Sequence, residues 1–149
     1  MGMFDHIHCR VPLPEGYTQY QDRAFQTKDL DCVLDQCEIR EDGLWREDYD
    51  IEDRSDPNAV GIKRIFGCMT RVNKRWVRVP DYTGTIRFYD GLGEMSSGWI
   101  EFEAHIGLGH LLRPVALIKY TPIDDAEEAD RAARLRAVFE PPTPEGDPS

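Results

Sequence analysis

The sequence predicts a mainly β (α+β) protein: a single antiparallel twisted sheet, or a small sandwich, with one C-terminal helix. Three observations carry this expectation. Polar and apolar residues alternate strictly through the middle of the chain, and glycine and proline punctuate it at short intervals. Only one stretch, near the C-terminus, strings helix-forming residues together without interruption.

In chain order, "CVLDQCEI" (32–39) and "VGIKRIF" (60–66) read as strands, as does "RWVRV" (75–79) after a turn at "VNK". "GTIRFYD" sets Ile86 and Phe88 against Arg87 and Tyr89. The glycine-rich "DGLGEMSSG" then serves as a hairpin loop into "WIEFEAHI", where Ile100, Phe102, Ala104 and Ile106 share one face. "LLRPVALIKY" supplies a further strand, confined by Pro114 to an edge or a bulge. From Asp124 to Phe139, "DDAEEADRAARLRAVF" opens on acids and closes on arginines, the order that suits a helix dipole. Its apolar stripe is thin, which predicts a helix covering one sheet face or edge.

With 149 residues and 40% hydrophobic content, the expected organisation is one β-rich domain over 1–140 and a flexible Pro-rich tail over 141–149. No run of eighteen apolar residues and no basic-then-apolar leader is present, so the expected location is the cytoplasm, with no membrane contact. Cys9, Cys32, Cys37 and Cys68 match no metal or redox spacing and read as reduced thiols. Cys32 and Cys37 sit among acids, which discourages a thiolate nucleophile. No catalytic residue and no cofactor is assigned.

Charge is the most informative feature. The net value is -10, and residues 29–56 hold twelve acids against three bases, while 57–120 hold five acids against nine bases. Such a chain repels nucleic acid and attracts basic proteins. The densest segment, "EDYDIEDRSD" (47–56), places six carboxylates in ten residues. Aligned to a calcium loop from Asp48, it puts Asp53 where glycine is needed and Ala59 where glutamate is needed, which excludes an EF-hand. As an extended strand it presents one charge per ~6.6 Å on a face, against one per ~1.7 Å along duplex DNA. Imitation of nucleic acid therefore requires other acids to gather around it. The candidate binding surface comprises Asp31, Asp35, Glu41, Asp42, Glu47, Asp48, Asp50, Glu52, Asp53 and Asp56. The competing reading is a solvated loop whose charge is neutralised by the basic segment "IKRIFGCMTRVNKRWVRV" that follows.

A second pattern is "DHIHC": two imidazoles two residues apart leave the same face of a strand, as in zinc sites built on sheets. His105 and His110 are the available further ligands.

The opening "MFDHIHCRVPLPEG", followed by "FQTKDLDCVLDQCEIREDGLW", resembles an uncharacterised family of small phage and prophage proteins. These begin with Met-Phe-Asp and a Pro-Leu-Pro turn, then carry Phe-Gln-Thr-Lys before an acidic strand. "DYTGTIRFYD" and "WIEFEAHIGLGHL" are similar to the family's closing strands. The resemblance covers about the first 45 residues, and 80–112 loosely. It implies a setting among phage accessory proteins, including anti-CRISPR inhibitors of host defence, and supplies no site residues. The expected function is thus a non-catalytic acidic binding protein that occupies a basic, nucleic-acid-binding surface of a host protein or nucleoprotein complex. It would not bind nucleic acid itself, and an open edge strand would permit a homodimer. The alternative is a small metal-dependent enzyme centred on His6 and His8.

Overall fold

The computed structural model describes residues 3–53 and 69–139, and the expected fold class holds: one mixed sheet of nine strands with a single C-terminal helix. The strands are β1 (Asp5–Cys9), β2 (Ala24–Thr27), β3 (Gln36–Arg40), β4 (Gly43–Asp53) and β5 (Met69–Arg78). They continue with β6 (Gly84–Leu92), β7 (Gly98–Gly107), β8 (His110–Leu111) and β9 (Ala116–Thr121), and helix α1 spans Asp125–Phe139. Across the sheet the order is β5-β4-β3-β1-β2-β6-β7, after which β8 and β9 both pair with β7. All pairings are antiparallel except β1 with β3. That exception arises because the return from β2 crosses β1 and enters on its far side, a route that residues 28–35 must cover.

One face of this sheet is the core. Alternation delivers Ile7 and Cys9, Phe25 and Thr27, Cys37 and Ile39, Ile86 and Phe88, and Ile100 through Ile106 to the same side, all essentially buried. At its centre the rings of Phe25, Phe88 and Phe102 meet within 5.2–5.7 Å. The segment between β1 and β2 folds over this core with Val11, Leu13, Tyr17 and Tyr20. Gln21 fixes it by donating to the Cys9 and Val11 carbonyls and accepting from the Leu13 amide, each at 2.8–2.9 Å. The two wings of the sheet curl toward one another. The Arg78 guanidinium donates to both the Asp42 and Gly109 carbonyls, joining the β3–β4 turn to the β7–β8 turn.

Several local expectations are revised. β3 begins at Gln36, because residues 32–35 form a loop with Cys32 and Leu34 in left-handed conformations, at φ 57° and 62°. "VNK" is no turn: β5 runs through it, and Asn73, at φ 55°, sits across from the register shift between Asp48 and Asp50 of β4. Pro114 divides "LLRPVALIKY" into β8 and β9, as its missing N–H requires. Helix α1 forms where expected but buries none of its residues. Glu128 and Arg131 tie its first turns to the β6–β7 turn, through the Met95 amide and the Met95 and Ser96 carbonyls. Leu135, Val138 and Phe139 remain exposed. The strand expected over 60–66 and the tail 141–149 lie outside the described residues.

Candidate functional site

The acidic segment is a strand, and its geometry follows from the register. β4 pairs with β3 only over Gly43–Arg46, while its pairing with β5 covers Trp45–Asp53. Among the described residues, β4 and β5 pair only with each other from Glu47 onward, so they form a two-stranded arm that leaves the sheet beside the start of β3. Two acids of β4 are held by β5 across this arm. Asp48 pairs with Arg75 at 2.8 Å, and Asp50 receives the same guanidinium at 3.5 Å and the Asn73 amide at 3.1 Å. Arg71 lies 4.3 Å over the Tyr49 ring. From Glu47 outward the arm holds five carboxylates against Arg71, Lys74 and Arg75, so its charge is largely but not wholly offset.

At the root of the arm the charge is not balanced. Asp5, at the start of β1, is 1% exposed and accepts the amides of Cys32 (2.8 Å), Val33 (3.0 Å) and Asp35 (2.9 Å). This fixes the loop 28–35 against the sheet and brings Asp29, Asp31 and Asp35 around one cavity of about 330 Å³. Leu30, Leu44, Val79 and Tyr82 give the cavity its apolar wall, and among the described residues Arg46 is its one base, 3.6 Å from Asp31. Asp29 is held at the strand edge, where it accepts the Arg87 amide at 2.7 Å. Burial and then the neighbouring Asp5 push the Asp35 carboxyl above the ordinary aspartate range, only partly countered by Arg46 and Arg71. The same burial, reinforced by Asp5 and Asp35, pushes the Cys37 thiol up to about 12; burial alone pushes Cys9 to about 11. These thiols are packing groups and not nucleophiles at neutral pH.

A second, shallower depression of about 280 Å³ continues from this cavity, lined by Asp35, Arg46, Glu47, Asp48 and Tyr49. Asp31, Asp35, Glu47 and Asp48 thus belong to one surface with Arg46 at its centre. Asp50, Glu52 and the backbone of Asp53 lie farther out along the arm. Glu41 and Asp42 occupy the turn at the opposite end of β3, roughly 17 Å from Asp35 at 3.3 Å per residue. There Asp42 accepts the Trp45 indole N–H at 2.8 Å, which with Arg78 nearby holds its carboxyl below the usual range. Asp56 lies outside the described residues. Sequence reasoning missed Asp5 and Asp29, because the backbone amides that they accept lie 27 or more residues away in the chain.

His6 and His8 do share a face of β1. Between them stands Gln36 of the neighbouring strand, its amide 3.1 Å from His6 Nδ1 and 3.3 Å from His8 Nε2. His105 is elsewhere, on β7 with Thr85 and Glu103, and His110 is exposed on β8. The four histidines therefore do not converge, and no group of three or more His, Cys, Asp or Glu side chains among the described residues is arranged to hold a metal ion. No described helix is long and apolar enough to cross a membrane. Comparison with protein-family models, with curated proteins and with solved structures finds no match.

Proposed function

We propose that this chain is a non-catalytic binding protein that receives a lysine or arginine side chain of a protein partner in the cavity at the root of the β4–β5 arm. The observation that carries the reading is the pairing of an apolar wall with a carboxylate rim. Leu30, Leu44, Val79 and Tyr82 suit an aliphatic stem, and Asp29, Asp31 and Asp35 suit its cationic head. A cavity of about 330 Å³ is at the lower end of the range for small ligands, the scale of one long side chain. The raised carboxyl of Asp35, set by burial and then by the neighbouring Asp5, points the same way, since a carboxylate so placed gains from a cation that joins it. Net charge of -10 favours a basic protein over a nucleic acid as the partner. The phage-like opening supports a bacterial host protein, with inhibition of a defence complex as the form such binding would take.

The test is a titration with short lysine- and arginine-bearing peptides, followed by amide chemical shifts. Shifts should concentrate at residues 29–37, 44–46 and 79–82, and D31N/D35N should weaken binding about tenfold or more, as loss of one exposed and one half-buried charge from the rim implies. D48N/D50N should change it little, because Arg75 already holds both groups. Shifts located elsewhere, or equal affinity in D31N/D35N, would refute the proposal. The same variant pair then identifies, in a pull-down from bacterial lysate, which retained proteins depend on the cavity.

A further inference from the structure

The solvent face of β1 carries a separate feature that the acidic cavity does not use. We propose that His6 Nδ1 and His8 Nε2 form a two-nitrogen site for a divalent first-row transition ion, bound in the place that the Gln36 amide occupies between them. In a strand, residues two apart leave the same face, yet their rings need not aim at one point. Here both aim at one side-chain amide, His6 Nδ1 at its nitrogen and His8 Nε2 at its oxygen, so the two rings flank a single small group that an ion would replace. Phe4 sets its ring edge-on to His6, with centroids 5.2 Å apart, and so restrains the orientation of that imidazole. Both histidines are half-exposed, which leaves the remaining coordination positions to water.

The hydrogen bonding defines what binding requires. With Gln36 Nε2 donating to His6, that imidazole already directs a lone pair at the junction. His8, which donates from Nε2 to Gln36 Oε1, must carry its proton on Nδ1 instead. This is a change of tautomer, with no proton lost from the neutral ring. If the amide is turned over, the two histidines exchange these roles and the requirement is the same.

The surroundings select the ion. Glu38, the register neighbour of His8, is held by Arg10 at 3.3 Å and Arg40 at 2.8 Å, so it brings no free carboxylate. A neutral site of imidazole nitrogen disfavours Ca²⁺ and Mg²⁺, which demand several oxygens. It favours the nitrogen-seeking ions in the order Cu²⁺ above Ni²⁺ and Zn²⁺.

The test uses the full chain, stripped with chelator and titrated with Cu²⁺ and with Zn²⁺. One equivalent should bind, and the Cu²⁺ spectrum should show coupling to two imidazole nitrogens by electron paramagnetic resonance. His6→Ala and His8→Gln should each weaken binding by roughly 100-fold, the upper limit seen for loss of even a ligand's supporting partner. Gln36→Ala should bind at least as tightly as the unaltered chain, because it removes the competing occupant. His105→Ala and His110→Ala should match the unaltered chain. No saturable binding, one-nitrogen coupling, or retention of affinity in His8→Gln with circular dichroism unchanged would overturn the assignment. A tenfold loss in Gln36→Ala would overturn displacement of the amide.

Discussion

Asp5 shows how one nearly buried side chain can shape the candidate site from the floor of its cavity. Its carboxylate accepts three backbone amides from a loop in which Cys32 and Leu34 hold left-handed conformations. Conformations of that kind cost on the order of 1 kcal/mol each and persist only where the surroundings compel them. Asp5→Ala strands three donors at a nearly buried position, so we expect a loss of about 3–5 kcal/mol by urea denaturation. Asp5→Asn keeps the shape with one accepting oxygen and should fall between the two. A loss below about 1 kcal/mol in Asp5→Ala would show that the loop holds itself. The sequence displayed this aspartate inside "DHIHC", where the histidines drew attention, since nothing local marks a carboxylate whose partners lie 27–30 residues away.

At the level of elements, the β4–β5 arm explains why a dense acidic segment is ordered. Its acids are answered across the hairpin, above all by Arg75, which contacts Asp48 and Asp50 at once. Each such exposed pair contributes only about 0.2–1 kcal/mol, so Arg75→Glu should leave global stability almost unchanged. It should instead speed amide exchange selectively within 47–53 and 70–76, where the two strands have no other strand neighbour among the described residues. Uniform exchange rates in that variant would mean that side-chain packing, such as Arg71 on Tyr49, holds the arm. The alternation of charge between the two strands was legible in the sequence as an acidic block followed by a basic one. Their register was not, because it depends on a bulge in β5 at Asn73 and Lys74.

For the molecule as a whole, curvature depends on the meeting of turns distant in sequence. Gly43, at φ 108°, faces the Gly109 carbonyl so closely that a Cβ would run into it, and Gly109, at φ 78°, stands likewise against the Pro80 carbonyl. Gly109→Ala adds both backbone strain and a clash with main chain, and should cost about 2–4 kcal/mol by denaturant unfolding. An unchanged midpoint would show that the wings are not held at this point. This curl brings Val79 and Tyr82 from beyond β5 over the cavity lined by Asp29, Asp31 and Asp35, so the candidate site is a product of global shape.

The sequence by itself determined the fold class, the core face of β6 and β7, the position of α1 and the inert character of Cys37. Each of these follows from periodicity, helix-forming composition or the charge of immediate neighbours, which are local properties. Tertiary structure alone decided the parallel entry of β3, the pairing of both Asp48 and Asp50 with Arg75, and the convergence of Asp31 and Asp35 on a cavity with Asp5 and Asp29. It also separated Glu41 and Asp42 from that group, and placed Gln36 between the histidines. These outcomes depend on which strands become neighbours and in what register, and that choice is made by burial of the whole core face rather than by any one segment.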